Sequence, residues 1–544
     1  MKQRKARGKI SLRCCVQFCK TNCPAILGLW LILNCFLLCS QSPAKALENK
    51  VPAKTSFGLE NVVAKAQELA RDPFRDPFGR IPAFLLEINY DQWRNIRYRP
   101  EKSLWRDEKL PFEVQFFHPG FYYNIPVTVN IISPSGVETL PFSPELFDYG
   151  TNDFKANVPS TVGFAGFRLH FNIITKAYKD EFLVFLGASY FRAIAKGQVY
   201  GLSARGIAID TGLPSGEEFP FFKEFWIVKP GYYDKQTTVY ALLDSPSLTG
   251  AFRYVIRPGK ETVVEVASKL FRRKEIKKLG IAPVTSMFFY GENNNFRPVD
   301  DMRPEIHDSD GLQIALKSGE LLWRPLVNPS TLWTNSFQAD NLVGFGLMQR
   351  DTNFDHYQDL ETRPELRPSL WIQPTGDWGK GHVELIQIPT ESYIHDNIVA
   401  FWQPGGVGAL DEPLTYEYTM KWAFCQQIGP LTGRVTATRI GAGTAHDSKK
   451  IFLDFAGGEL EMLKDNDVVE GVVTVPNGCR LIEQQVFKNT VTGGWRLVFQ
   501  IEPEDPATLV EKVLPERKQI FEVRAFLRRG QNVLTETWSY GLRL

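Results

Sequence analysis

The sequence predicts a mostly β protein, built as a large N-terminal sandwich followed by a smaller, immunoglobulin-like one. Three observations carry this reading. Apolar residues recur at every second position over long stretches, the period of a strand that buries one face. Clusters of Gly, Pro, Asn and Asp separate these runs. A Gly-rich stretch late in the chain divides the long first part from a last part with shorter strands.

The elements follow in chain order. Lys2, Arg4, Lys5, Arg7, Lys9, Arg13 and Lys20 come without an acidic residue, then an apolar run from Ala25 to Leu38, then Ala44-Lys45-Ala46. A basic region, a short apolar region and a small-x-small site predict a secretory signal peptide over residues 1–46. The alternative is an uncleaved anchor, but Gly28 and Asn34 break the run, which falls short of the roughly 20 apolar residues of a span. Leu38 before Cys39 is too bulky for a lipidation site.

Eight Lys/Arg and no Asp/Glu leave with this segment, so the formal charge moves from +2 to −6. A mildly acidic chain has no electrostatic case for nucleic acid. Six of the eight cysteines leave too, so that Cys425 and Cys479 stay behind, either as a disulfide or as buried thiols.

Leu59, Val62, Val63, Ala66, Leu69 and Ala70 fall at helical spacing, and Pro73 ends the pattern: one amphipathic helix. Val127, Val129 and Ile131 then alternate with Thr128 and Asn130 ahead of the turn Ser133-Pro134-Ser135-Gly136, and 237–243 and 262–267 continue the habit. These strands place a large antiparallel sandwich over 47–402. Residues 403–414, with Gln403-Pro404-Gly405-Gly406-Val407-Gly408, read as a linker. The strands 435–439, 451–455, 495–501 and 521–527 give an immunoglobulin-like domain over 415–544. Inward positions are Trp495, Leu497, Phe499, Ile501 and Phe521, Val523, Ala525, Leu527.

Familiar catalytic signatures fail. Gly201-Leu202-Ser203-Ala204-Arg205 lacks the second glycine of a nucleophile elbow, there is no phosphate loop, and no two histidines have metal-ligand spacing. Asp308-Ser309-Asp310-Gly311 has the flavour of a calcium loop without its distal acidic ligand. Neither a metal nor a cofactor is therefore expected. What remains are two acidic segments, Arg303 to Gly311 and His395 to Trp402. An Asp beside the apolar run Ile398 to Trp402 could have its pKa raised enough to protonate a leaving oxygen, with a second carboxylate taking a proton from water. By residue pattern alone, an Asp-Asn pair ahead of a strand is more often a turn.

Further segments carry a resemblance. They include Glu101-Lys102-Ser103-Leu104-Trp105, Gln115-Phe116-Phe117-His118, Phe164-Ala165-Gly166-Phe167-Arg168, Leu186 to Ala193 and Tyr200 to Gly206. Gly280-Ile281-Ala282-Pro283, Pro304 to Asp310, His356-Tyr357-Gln358-Asp359, Arg367-Pro368-Ser369-Leu370-Trp371, Trp378-Gly379-Lys380-Gly381 and Asp396 to Gln403 follow in order. Through them the chain resembles the periplasmic glucan biosynthesis protein G/D family of Gram-negative bacteria. After residue 414 the likeness is weaker, mainly Glu536-Thr537-Trp538.

The resemblance implies a periplasmic protein whose large sandwich, of the galactose-mutarotase-like supersandwich kind, carries a long glucan cleft. It implies action on the β-1,2-linked glucose backbone of osmoregulated periplasmic glucans, some members being inverting endo-β-1,2-glucanases. Residues matching the glucanase pattern are Asp396 as general acid and Asp308 as general base, with His307 and Asp310 placed to orient Asp308. Tyr190, Arg192, Tyr357, Gln358, Trp371, Trp378 and Lys380 are the subsite candidates, because aromatic faces stack on sugars and polar tips bind hydroxyls. The segment Thr390-Glu391-Ser392-Tyr393-Ile394-His395 departs from the Gly-Glu-Thr run of glucanase members. A non-catalytic scaffold that holds glucan for an inner-membrane synthase is thus the competing expectation. An adhesin-type pair of sandwiches would explain the strands but not the acidic segments. Monomer and homodimer both stay open.

Overall fold

The structure is a computed structural model, which describes residues 57–544 apart from 295, 296, 299, 341, 429–431, 446 and 505–519. The expected signal segment lies outside the described residues. Among the described residues no helix is long and apolar enough to cross a membrane.

The chain is mostly strand, as expected. Its two largest sheets hold ten and fifteen strands. The ten-stranded sheet runs in the order Glu113–Phe117, Gly166–Phe171, Asp180–Leu186, Tyr190–Ala193, Ser203–Arg205, Leu279–Ser286, Ile398–Pro404, Gly381–Gln387 and Trp333–Gln338, and Ile207–Ile209 pairs with Leu279–Ser286 off this path. The fifteen-stranded sheet includes the long neighbouring strands Thr262–Arg272, Leu248–Arg257 and Thr237–Asp244. Alternation along these strands turns one set of side chains inward, and the two sets meet as a sandwich core. Phe185 and Phe191 of one sheet meet Tyr254 of the other at 5.4 and 5.3 Å between ring centres, and Phe191 lies 6.0 Å from Trp422. Burying each such ring contributes on the order of 1.5–3 kcal/mol.

The predicted helix forms over Leu59–Arg71 and ends on the extended Asp72 before Pro73. It sets Val62, Val63 and Ala66 against Trp226, Leu242, Ala251 and Phe271 on the outer face of the fifteen-stranded sheet. The hydroxyl of Thr249 bonds the carbonyl of Ala66 at 2.7 Å.

A second sandwich follows, but it is not hung on a linker. The strand Leu414–Ala423 pairs with Thr262–Arg272 on one side and Ser369–Pro374 on the other, in the middle of the large sheet. Its inward residues Tyr418, Met420 and Trp422 are buried in the first core. Residues 403–414 therefore join two strands of the first sandwich, and the border falls after Ala423. Beyond it a four-stranded sheet (Arg434–Ala442, Lys449–Ala456, Trp495–Pro503, Cys479–Lys488) shares a core with Ile520–Arg529 and Thr537–Arg543. Those two strands extend the fifteen-stranded sheet, because Thr537–Arg543 pairs in parallel with Leu321–Pro325. The border is polar as well: Arg350 forks onto Glu536 and stacks over Trp323 at 3.4 Å. Cys425 and Cys479 are both buried free thiols.

Candidate active site

Both acidic segments, Arg303 to Gly311 and His395 to Trp402, hang from one strand end. Leu279–Ser286 carries a bulge between Ile281 and Val284, where Ala282 takes φ 50°, and ends beside Ile398. Bulges re-aim a strand at a site edge. The backbone N–H of Asn397 donates to Ser286 O (3.0 Å), and its buried side chain accepts from Phe288 N (2.8 Å) and donates to Phe288 O and Ile388 O (both 3.0 Å). From the other side Asp308 N donates to Met287 O (2.8 Å) and the Ser286 hydroxyl bonds that of Ser309 (2.8 Å). The Asp-Asn pair thus divides its labour. Asn397 makes the turn's bonds, which leaves the Asp396 carboxylate directed into a cleft.

That cleft encloses about 170 Å³ and is lined by Asp308, Asp396, Arg192, Arg303, Arg367 and Tyr393 among others. The two carboxylates stand in different settings. Asp396 keeps 29% of its side chain open to solvent and has Arg192 Nη2 at 3.7 Å from Oδ2. The protein packed around it raises its pKa above the ordinary carboxylate value; the charge of Arg192 opposes this rise and that of Asp308 adds to it. Asp308 is buried and ion-paired through Oδ1 with Arg367 Nη1, which also donates to His307 O at 3.3 Å.

Of the other expected residues, Tyr190 and Arg192 belong to this cleft's surroundings. Arg205 lies over the Tyr190 ring at 4.8 Å, Asp396 acts on the Tyr190 hydroxyl, and Arg192 is steadied by Ser203 Oγ at 2.7 Å. His307 and Asp310 flank Asp308 in sequence, yet their side chains turn away from its carboxylate. His307 is buried against Phe288 (5.4 Å), with Nε2 on Glu305 Oε2 and Nδ1 on Gln349 Oε1, each at 3.0 Å. Burial opposes its charge, but the bond to Glu305 and the nearby carboxylates outweigh this and raise its pKa. Asp310 accepts from Arg350 N (2.9 Å) and Asp351 N (3.0 Å), and burial drives its carboxyl up to about 6 against the charges of His307 and Arg350. Gly311 packs a strand start against Trp323: a Cβ there would lie 2.0 Å from the ring, so the calcium-like Asp-Ser-Asp-Gly run serves sheet packing.

The remaining candidates lie apart from the carboxylates. Tyr357 is fully buried, its hydroxyl held by Gln349 (2.9 Å) and Asp351 O (3.1 Å), with no face free for a sugar. Gln358 is exposed at φ 54° and bonds Asp355. Trp371 is buried in the second core. Trp378 packs on Trp402, Tyr416 and Tyr418 at the far end of Ile398–Pro404, and the exposed Lys380 accepts from Gly405 N beside it. Seven residues of strand, roughly 20 Å, separate that end from Asp396.

Sequence reasoning did not single out Arg367, Arg303 or Asn397. Arg303 forks onto Asp301 (2.7 Å), reaches Asp359 (3.2 Å) and lies under Tyr393 at 4.4 Å, fixing one wall. The Asp308 and Arg367 partners are 59 residues apart. Their only local trace is an arginine in a Pro-rich segment.

Residues 57–542 match the family described as "Periplasmic glucan biosynthesis protein, MdoG". "Glucans biosynthesis protein G" of Ralstonia nicotianae is 46% identical over 499 residues, covering 90% of this chain and 96% of that protein. By this likeness over nearly its whole length, the chain belongs to the periplasmic glucan biosynthesis family.

Proposed function

We propose that this member of the periplasmic glucan biosynthesis family is exported by its signal segment and cleaves the β-1,2-linked glucose backbone as an inverting endo-glucanase. The observation that carries the reading is the contrast within one cleft: a carboxyl with raised pKa, Asp396, beside a carboxylate ion-paired to arginine, Asp308. Asp396 in its acid form gives a proton to the glycosidic oxygen as the bond to the anomeric carbon breaks. Water attacks that carbon from the opposite face, and its proton passes to Asp308, directly or through an intervening hydroxyl. Solvent then restores the proton to Asp396 and removes the one on Asp308. Inversion leaves room for the water, about 6.5–9.5 Å between carboxyls. Arg192 and Tyr190 bind glucose hydroxyls beside the acid, and Ile394 and Tyr393 of the altered segment border it.

The test is incubation of the mature protein with linear β-1,2-glucan, following reducing ends and the anomer released, beside Asp396→Asn. Shortened chains, lost in the variant, support the reading; chains shortened equally by both would remove Asp396 from the mechanism.

One observation favours a second reading, a non-catalytic scaffold that presents nascent glucan to an inner-membrane synthase. Arg367 occupies Asp308 and Arg192 approaches Asp396, so both carboxylates have cationic neighbours before any sugar binds. This reading expects glucan binding with unchanged chain length.

A further inference from the structure

A larger pocket, about 400 Å³, opens at the border of the two sandwiches and is lined by Glu292, Glu305, Asp310, Asp351, His356 and Arg350 among others. One ligand atom from each of Glu305, Asp351 and His356 lies within 4.8 Å of the other two. Two carboxylates and an imidazole converging at this range are a donor set for a borderline divalent ion.

Asp351 and His356 are ion-paired with each other through Oδ2 and Nδ1, and Glu305 is held from behind. Glu305 Oε2 accepts from His307 Nε2 (3.0 Å). The backbone N–H of Asp351 is fixed on Asp310 Oδ2 (3.0 Å), next to Arg350, which is anchored on Glu536. His356 closes a one-turn 3-10 helix, Phe354–His356, whose cap is Asn353. Outer bonds of this kind orient metal ligands. An independent observation points the same way: Asp310 Oδ1, in the same pocket, is buried and accepts no hydrogen bond. A buried carboxylate oxygen without a donor is rare and calls for a positive partner. The pocket's arginines make side-chain bonds elsewhere, Arg350 to Glu536, Arg439 to Glu292 and Asp454, and Arg434 to the carbonyls of Cys425 and Ile428.

We propose that Glu305, Asp351 and His356 bind one divalent transition-metal ion of the zinc class, with Asp310 as a third carboxylate in the same pocket. The site is separate from the sugar chemistry and goes beyond the glucanase reading. Glu305 borders both pockets, so the ion ties the second sandwich's border to the wall of the glucan cleft.

The mature chain is stripped with chelator, dialysed against Zn²⁺, Mn²⁺ or Ca²⁺ separately, and its bound metal counted, with thermal melting followed in parallel. The expected result is about one Zn²⁺ per chain, a raised Tm in its presence, and binding weakened at least about tenfold in His356→Gln and Asp351→Asn. His356 is half exposed, so its replacement leaves the fold intact, and Glu305→Gln stands in if Asp351→Asn fails to fold. Asp396→Asn binds zinc like the parent chain. Absence of stoichiometric zinc, full zinc affinity in the folded variants, or calcium bound in preference to zinc overturns the proposal. None of these readings depends on glucan cleavage.

Discussion

The two sides of the cleft differ in how each treats a carboxylate. On one side Asp396 stands ahead of a strand with its turn bonds taken over by Asn397, leaving it a raised pKa and a half-exposed arginine at 3.7 Å. On the other, Asp308 is buried and clamped by Arg367. The same functional group has its pKa raised in one place and is ion-paired to an arginine in the other. The difference comes from what the neighbouring chain supplies, crowding or a cation.

Exchanging the acid for an amide breaks the comparison most severely. Asp396→Asn is expected to lower kcat on β-1,2-glucan by about 10²–10⁴-fold with the circular dichroism unchanged; a loss below tenfold would place the proton donor elsewhere. Next comes the clamp. Arg367→Met leaves Asp308 buried without its cation and is expected to cost about 3–5 kcal/mol, whereas the double variant with Asp308→Asn recovers much of that loss. Denaturant melts of the three chains decide it, and equal losses in single and double variants would show that the pair is not coupled.

A subtler change sharpens the contrast. On the glucanase reading Asp396 works only when protonated, and its pKa lies above the ordinary carboxylate value, so activity is expected to persist below the raised value and to be lost as pH rises through it. Arg192 lowers that value, so Arg192→Met moves the alkaline limb of kcat/KM to higher pH; an unmoved limb would separate Arg192 from the acid. The smallest effects lie away from the cleft. Trp378→Ala costs about 2–3 kcal/mol through lost packing on Trp402 and Tyr416, and Gln358→Ala stays within about 0.5 kcal/mol. Neither alters kcat/KM on short glucans, and a tenfold rise in KM for either would restore it as a subsite residue.

The fold was legible wherever its cause is local. Alternation at Thr237–Asp244 or Trp495–Pro503 follows from the pleat, and the helix Leu59–Arg71 announces itself by its period and by Pro73. The border between the sandwiches was not legible, because Gly405 and Gly406 mark a loop without saying whether the next strand returns to the same sandwich. The inward alternation of Tyr416, Tyr418, Met420 and Trp422 was the available signal. At the site, the two aspartates were singled out through resemblance. The side chains of His307, Asp310 and Tyr357 take partners that their place in the sequence did not indicate. Their proximity in sequence to Asp308 or to a motif says nothing of which way a side chain turns, and burial, set by distant strands, decided that. Arg367 escaped notice because its partner is distant along the chain.

The parallel pairing of Thr537–Arg543 with Leu321–Pro325 has a consequence for how this molecule survives dilute, crowded surroundings. An unpaired strand edge recruits strands from other chains. The C-terminal strands cover this one, so the second sandwich acts as a guard against self-association as well as a wall of the border pocket. A chain ending at Ala423 would present Leu321–Pro325 as a bare template, and light scattering would register it as growing particles.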